Sequence, residues 1–494
     1  MSKHTVFGLG IISAISLSGY VLASAQMLEI GFPLDDAWIH QTYARNLALR
    51  GEWAFFPGHP SAGSTSPLWA VLLAAGYVIN GSPIVFSFVL GWALLWGLSL
   101  VGVKAFQALV PARSTWAFGA GALLALEWHL VWAAGSGMET LLFALSALLV
   151  WTWLLKLDPP GEENPGGHWL GLGLLIAASV WVRPEGITLL GPVGLAAWLW
   201  GTSWRQRLRS SMVLLLGFGL GFVPYLVFNL QLSGEWWPNT FFAKQAEYAP
   251  LLAQPLWERV LQEVSLPLVG VGVLLLPGMV YLTVQAARQK KWPTLLGAAW
   301  LVGHILLYAL RLPVTYQHGR YLIPVMPVYF VLGAAGLAAW VQPRGRVFLR
   351  RMTSLTWIVS SAVVLVVFWF SGAGAYARDV AYIQSEMVVT AHWVAENLPP
   401  DDLIAAHDIG ALGYFAPQKI VDLAGLVSPD VIPFIRDEDR MAAYIDSQQA
   451  AYLVTFPGWY PILVGQATLI YSTGGEISPQ IGGENMAVYI WERP

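Results

Sequence analysis

Apolar segments close to twenty residues long recur along this chain from Thr5 to Ala375. An α-helix of about 20 apolar residues is long enough to cross the hydrocarbon core of a bilayer. Of the 494 residues, 56% are hydrophobic and 11% are charged, whereas soluble domains are usually about a quarter charged. The chain is therefore expected to be a mostly α-helical polytopic membrane protein.

Eleven segments are apolar enough to be membrane-spanning helices: 5–28, 66–80, 84–103, 138–156, 169–182, 186–201, 212–232, 265–287, 294–311, 321–341 and 353–375. The segment 114–134 is interrupted by Glu127 and His129, which predicts two half-helices or a re-entrant pair. Such broken backbone is tolerated at membrane depth only where protein or a water-filled cavity covers it. The favoured topology has 114–134 not crossing; in the alternative, 169–201 crosses once as a broken helix.

Lysine and arginine concentrate in three short connections, and such connections usually face the cytoplasm. They hold Arg205, Arg207 and Arg209; Arg288, Lys290 and Lys291; and Arg344, Arg346, Arg350 and Arg351. The protein is therefore expected in the plasma membrane with its N-terminus in the cytoplasm. The loop 29–65 and everything after Ala375 would lie outside. Residues 1–26 also resemble a signal peptide, but the apolar run is long, which favours an uncleaved span.

Past Ala375 the chain changes to ordinary polarity. Five stretches favour short strands, and 386–398 and 439–448 favour amphipathic helices. The strand candidates are 402–406, 419–425, 450–456, 468–472 and 486–492. We therefore predict a transmembrane domain over 1–375, followed by a soluble extracytoplasmic α/β domain over 376–494.

The composition also excludes several kinds of function. The net charge is −3 with no basic tail, so nucleic acid is not an expected partner. There is no cysteine, which excludes disulfides, Cys-ligated zinc and a thiol nucleophile. Neither a GxGxxG nor a P-loop motif is present, so a nucleotide cofactor is not expected.

Two adjacent carboxylates, Asp35 and Asp36, follow the first apolar segment. The simplest interpretation is that Asp35 caps a short helix over 36–50, at the outer surface, which Gly51 ends. Asp36 and His40 are one helical turn apart, so they could also accept a proton together or hold a divalent cation. Further ionisable residues stand at the outer ends of later segments, which usually marks a cavity or substrate path. They are Glu139, Arg183, Glu185, Lys244, His318 and Arg320.

The stretch LDDAWIHQTYARNLALRGEWAFFPGHPSAGSTSPLW (34–69) resembles the first outer loop of membrane glycosyltransferases of the GT-C fold. It most resembles the branch that contains the AftB-type arabinofuranosyltransferases, which use polyprenyl-phosphate sugars. Five later motifs are similar to this branch in the same order. They are GMETLLF (137–143), RPEG (183–186), PNTFFAK (238–244), GRYLIPVMP (319–327) and HDIGALGYFAPQKIVDLAGLVSP (407–429).

The resemblance implies inverting transfer of a sugar from a polyprenyl-phosphate donor to a glycan, lipid or protein acceptor on the outer face. It implies that Asp35 is the general base and that Asp36 binds the acceptor or a metal. Chemistry agrees, because a sugar hydroxyl needs a positioned base and a departing lipid phosphate needs fixed cations.

Other roles follow from the same resemblance. Lys244 and Arg320 would contact the phosphate, with His318 and Arg183 behind them. Glu139 would orient the acceptor. His407 and Asp408 would line the acceptor cleft, although a turn at the end of a strand explains these two equally well.

Two other functions stay open at this point. The chain could be a transporter or flippase for a lipid or sugar, or a non-enzymatic scaffold whose outer domain binds glycan. Transporters tend to carry their charges at the membrane midplane and often contain inverted repeats. Here the charges cluster at one surface and no internal repeat is evident, which favours the transferase.

Overall fold

The structure is a computed structural model that describes residues 1–157, 166–341 and 347–492. Among these residues, six helices are long and apolar enough to cross a membrane. They are Lys3–Met27, Pro83–Leu109, Trp204–Ser233, Trp292–Arg311, Tyr316–Trp340 and Phe348–Asn397. The prediction of a polytopic, mostly helical protein is confirmed. Arg344 and Arg346, on which the predicted orientation partly rests, lie outside the described residues.

Two further helix pairs reach spanning length only when each is taken together across a bend. The pair Pro111–Leu126 and Trp128–Gly135 bends by 53°, and the pair Leu256–Leu268 and Gly272–Gln289 bends by 103°. Shorter helices are Pro67–Val78, Thr140–Lys156, Gly166–Val182 and Leu190–Leu199. Because a helix rises 1.5 Å per residue, the first of them is only roughly 18 Å long. The exact number of crossings stays a prediction.

The interruption expected within 114–134 is present at Glu127, between the two bent half-helices. The Glu127 carboxylate accepts hydrogen bonds from the Leu130 amide at 3.2 Å and pairs with His129 Nδ1 at 2.8 Å. Glu127 therefore caps the second half-helix, which is a role that acidic residues fill well. The alternative broken helix is also present, because Gly166–Val182 ends at Arg183 before the 3₁₀ turn Pro184–Leu189.

The C-terminal part contains a five-stranded mixed sheet. Its strands are β3 Leu403–Ala406, β4 Lys419–Asp422, β5 Tyr452–Thr455, β6 Ala467–Ser472 and β7 Ala487–Trp491. Their order in the sheet is β4-β3-β5-β7-β6; β3 pairs in parallel with β4 and β5, whereas β7 is antiparallel to β5 and β6. These match the five predicted strands. The helices of this part are Val389–Asn397, Gly410–Phe415 and Glu438–Ser447, with short turns at Pro461–Val464 and Ile477–Gln480.

No break separates the last membrane helix from the C-terminal part. The helix Phe348–Tyr382 continues through the π-helical turn Ile383–Val388 into Val389–Asn397. A rigid helix that enters both parts fixes the position of the sheet relative to the membrane helices.

The predicted helix over 36–50 is present as Asp36–Arg50 and ends at Gly51, whose φ is +69°. A small hairpin, β1 Ala54–Phe56 and β2 His59–Pro60, follows it. The C-terminal part covers this helix, and residues 37–44 are all buried; that the helix lies at the outer surface of the membrane stays a prediction. The Trp38 ring packs 4.8 Å from the Tyr414 ring, and Arg45 Nη1 donates to the Tyr414 carbonyl at 2.7 Å.

Candidate active site

A cavity of about 470 Å³ lies between the start of the helix Asp36–Arg50 and the ends of several apolar helices. Seven of the ionisable residues singled out from the sequence line it: Asp36, His40, Glu139, Arg183, Glu185, Lys244 and Arg320. Apolar side chains form much of the rest of the wall, among them Ile187, Trp237, Phe241, Leu307 and Leu312. The cavity therefore combines fixed charges of both signs with apolar side chains, which suits a ligand that has a charged part and an apolar part.

Asp36 forms a direct ion pair with Arg320 at the cavity wall. Its Oδ2 lies 2.7 Å from Arg320 Nη1, and its side chain is 30% exposed. Burial alone would raise the pKa of Asp36, but the charges of Arg320 and Lys244 outweigh burial and lower it. Asp36 is therefore an ionised carboxylate at neutral pH. The buried Nε of Arg320 has no hydrogen-bond partner among the described residues, and a buried donor without a partner is uncommon unless a ligand or water supplies one.

Lys244 stands on the short helix Asn239–Glu247. Its Nζ lies 3.1 Å from Glu247 Oε2. Burial alone would lower the pKa of Lys244, but the charges of Glu247 and Asp36 outweigh burial and raise it. Lys244 is therefore a permanent cation beside Asp36.

His407 does not line the cavity, but it reaches Lys244 through Glu247. Its Nε2 lies 3.6 Å from Glu247 Oε1, and its Nδ1 lies 2.6 Å from the Tyr460 hydroxyl. Burial alone would raise the pKa of Glu247, but the contact with His407 and the charge of Lys244 lower it to about 2. Asp408 also stays off the cavity wall, and burial raises its pKa to about 6.

A second charged group surrounds Arg183, which ends the helix Gly166–Val182. Its Nη1 lies 2.7 Å from Glu139 Oε1, and the other oxygen of Glu139 lies 3.3 Å from His40 Nε2. His40 Nδ1 in turn lies 3.3 Å from the Ser64 hydroxyl. Because Glu139 is fully buried, its two partners hold it in one orientation at the cavity wall.

The same arginine also pairs with Glu185, with Nη2 and Oε1 3.2 Å apart. The Tyr308 hydroxyl donates to that Glu185 oxygen at 2.5 Å. Glu185 and Tyr308 line the cavity together with Arg311. The sequence signalled Glu185 through the motif RPEG, whereas Tyr308 lies inside an apolar helix and carries no such signal. Arg311 ends the same helix and carries the signal of an ionisable residue at a helix end, but it was not predicted.

Asp35 has a different place from its neighbour. Its two carboxylate oxygens accept hydrogen bonds from the backbone amides of Gly410 at 2.6 Å and Ala411 at 2.8 Å. It does not cap its own helix, so that expectation is wrong, and it does not line the cavity. A Cβ at position 410 would lie 2.1 Å from the Asp35 carbonyl oxygen, so this approach requires glycine. Asp35 therefore anchors the C-terminal part to the start of the helix Asp36–Arg50.

His318 also points away from the cavity. Its Nε2 lies 2.7 Å from Asp379 Oδ2, and Trp132 Nε1 donates to the same oxygen at 2.8 Å. Gln317, His318 and Gly319 all have φ between 53° and 65°, a region that costs energy for residues other than glycine. The Asp379 contact therefore helps to hold a strained turn whose next residue is Arg320.

The residues that could hold a metal do not fit one. Among the described residues, no three His, Cys, Asp or Glu side chains converge as a metal site would require. The Asp36 carboxylate is paired with Arg320, and His40 is paired with Glu139. Arg320 thus takes one oxygen of Asp36, Oδ2, and no step is assigned to a metal.

No curated protein matches this chain by sequence. A family model described as a domain of unknown function, DUF8728, matches residues 377–489. The crystal structure of ArnT from Cupriavidus metallidurans bound to undecaprenyl phosphate is similar, with a TM-score of 0.60 at 16% identity. That similarity covers 99% of this chain and 98% of ArnT.

Two other solved structures are similar over most of this chain. The oligosaccharyltransferase of Archaeoglobus fulgidus in the apo form gives a TM-score of 0.64 at 10% identity, covering 92% of this chain and 70% of that one. The mycobacterial arabinofuranosyltransferase AftD gives 0.53 at 16% identity, covering 100% of this chain and 40% of that one. All three structures belong to the GT-C class.

The chain has the GT-C fold. The fold implied by the first outer loop is thus confirmed over nearly the whole chain, whereas the AftB branch stays a prediction. In this GT-C fold, the cavity is built where the loop 29–65, the ends of the apolar helices and Leu426 of the C-terminal part meet.

Proposed function

We propose that this chain is a glycosyltransferase that moves a sugar from a polyprenyl-phosphate donor to a hydroxyl group of a glycan, lipid or protein acceptor. The observation that carries the proposal is the cavity, where Asp36 faces Arg320 and Lys244 and apolar side chains form much of the rest of the wall. A polyprenyl phosphate needs both cations for its head and apolar surface for its tail. Similar structures support this choice, since they contain undecaprenyl phosphate in ArnT and dolichol-phosphate in the archaeal enzyme.

In the proposed reaction, the acceptor oxygen attacks the anomeric carbon of the donor sugar from the side opposite the phosphate. The bond between that carbon and the phosphate oxygen breaks, and the polyprenyl phosphate leaves with the electron pair. The acceptor proton passes to the base, and the anomeric configuration inverts. A positioned base typically contributes about 10²–10⁴-fold to such a step.

The family resemblance implies that Asp35 is the general base. We assign the base to Asp36 instead. Asp36 lines the cavity and is 30% exposed there. Both oxygens of Asp35 accept backbone hydrogen bonds from the C-terminal part, so that carboxylate is already committed. Asp35 would act as a positioning residue for its neighbour.

Arg320 and Lys244 would receive the departing phosphate. Charge-assisted hydrogen bonds from such donors are the strong ones, and they stabilise charge that develops in the transition state. Arg320 lines the cavity, so its guanidinium would lie within reach of a phosphate oxygen bound there. A phosphate near Arg320 would compete with Asp36 for the guanidinium, which leaves the carboxylate a better base.

Glu139, which Arg183 and His40 hold in place, would orient the acceptor hydroxyl. We further propose that the reaction takes place on the outer face of the plasma membrane, with the N-terminus in the cytoplasm. The basic residues at 205–209 and 288–291 stand at the helix ends opposite those that carry Lys244, Arg311 and Arg320, which supports that orientation.

The test is transfer by the purified protein in lipid vesicles, with a panel of polyprenyl-phosphate sugars and hydroxyl acceptors. The expected result is a glycosidic product and an equal amount of released polyprenyl phosphate, both lost in Asp36→Asn. Movement of a labelled lipid across the membrane without any glycosidic product would establish a transporter instead. Glycan binding without transfer of any sugar in the panel would establish a scaffold.

A further inference from the structure

The helix Leu256–Ser265 is amphipathic with its apolar face turned outward. Trp257 is 66% exposed and Leu261 is 62% exposed, and Val264 continues the same stripe. Glu263 on the other face is only 1% exposed. Glu258, at the side of the stripe, is half-buried, and a water-soluble helix buries its large apolar side chains rather than turning them outward.

The direction of this helix follows from the sharp bend that comes after it. The segment Leu256–Leu268 meets the helix Gly272–Gln289 at 103°. Gly270 stands in the bend with φ of +79°, which glycine adopts without strain. Since Gly272–Gln289 is an apolar helix that packs along the membrane helix Met326–Trp340, a helix perpendicular to it lies close to the membrane plane.

The depth of the helix follows from its contact with a spanning helix. Arg259 Nη1 donates to the Ala309 carbonyl at 2.7 Å. Ala309 lies two residues before the end of the helix Trp292–Arg311, so the contact is at the end of a span rather than at its middle. The same end carries Leu307 and Arg311, which line the cavity.

We propose that Leu256–Ser265 is an interfacial helix that lies flat on the bilayer, with its Trp257–Leu261–Val264 stripe inserted among lipid headgroups and upper acyl chains. The occupant of the stripe is the lipid surface itself. Continuity with the apolar outer faces of the spanning helices supports lipid rather than a protein partner, and tryptophan is enriched at this depth of a membrane. The helix would hold the cavity at the level where a lipid phosphate lies.

The proposal can be tested without any activity, so its failure would be distinct from failure of the proposed transferase. The chain contains no cysteine, so a single introduced cysteine carries one spin label. We would label Leu261→Cys and, as a matched control, Gln262→Cys, which is also exposed but lies about 100° further around the helix. Val280→Cys on Gly272–Gln289 and Ile462→Cys in the C-terminal part give the reference depths, because these side chains are 50% and 48% exposed.

Each labelled full-length protein would be placed in vesicles of phosphatidylcholine and phosphatidylglycerol. Collision rates with oxygen, which prefers the acyl chains, and with a water-soluble nickel chelate then report depth. The expected ratio for Leu261→Cys lies between those of Val280→Cys and Ile462→Cys, with Gln262→Cys shallower than Leu261→Cys.

Three outcomes would overturn the proposal. A ratio for Leu261→Cys equal to that of Ile462→Cys would mean that the stripe faces water. A ratio equal to that of Val280→Cys would mean that the helix enters the hydrocarbon core. Protection of Leu261→Cys from both reagents would mean that a protein surface, such as a second copy of the chain, covers it.

Discussion

The substitution Asp36→Asn separates the proposed chemistry from structural roles. It keeps the shape of the side chain but removes the charge that lies 2.7 Å from Arg320 Nη1. Loss of a general base is expected to lower kcat by about 10²–10⁴-fold, or roughly 3–5 kcal/mol in the activation barrier. The free energy of unfolding should fall by only about 1 kcal/mol, because the side chain is 30% exposed and the amide oxygen can still accept a hydrogen bond from Arg320.

The assay is the initial rate of transfer at varied donor concentration, which separates kcat from the donor KM. We expect kcat to fall and the donor KM to stay constant or decrease, since Arg320 loses a competing anion. The control is Asp35→Asn, which keeps one acceptor oxygen for the two amides of Gly410 and Ala411. That control should lose thermal stability, by about 1–3 kcal/mol, with kcat within about tenfold of wild type. A stable but inactive Asp35→Asn beside an active Asp36→Asn would refute the reasoning and restore Asp35 as the base.

Three further predictions follow from the surrounding contacts. Lys244→Met should raise the donor KM at least about tenfold, the loss of one charge-assisted contact, and should also lower the melting temperature, because Glu247 loses its ion-pair partner; an unchanged KM would remove Lys244 from the phosphate site. Asp379→Asn should lower kcat because it loosens His318 and the strained turn before Arg320, whereas Asp379→Glu should restore part of the rate; equal rates in both variants would show that other contacts fix the turn. Glu247, with its pKa lowered to about 2 in the folded protein, stabilises the fold above the unfolded pKa of about 4.3 and loses this effect as pH falls towards 2. The melting temperature of Glu247→Gln should therefore lie below that of wild type between about pH 5 and 8, and the gap should close as the pH falls below about 4; a constant gap would contradict the assignment.

Much of the site was predictable because ionisable groups are costly in a chain with so few of them. Glu139 and Arg183 stand at the ends of apolar segments, and such groups need a partner or water. The structure supplies that partner by pairing them with each other at 2.7 Å. The recurrence of apolar helices and the strands of the C-terminal part were predictable for a related reason, since apolar length and alternation are local properties of the sequence.

The roles of the adjacent acids were not predictable from local sequence. Asp35 precedes the helix and Asp36 begins it, so their side chains diverge, and the partner of Asp35 comes from residues 410 and 411. The position of His318 depends on left-handed backbone at Gln317 and His318, which sequence propensity disfavours for residues other than glycine. Each of these outcomes is decided by tertiary contacts between segments that are far apart in the chain.

The most direct test of the central claim is a cryo-EM structure of the protein with added undecaprenyl phosphate. The account predicts density for a phosphate within hydrogen-bond reach of the Arg320 guanidinium and Lys244 Nζ, beside Asp36, with the lipid tail along the apolar wall of the same cavity. A headgroup bound elsewhere on the protein, with this cavity empty at saturating lipid, would contradict it.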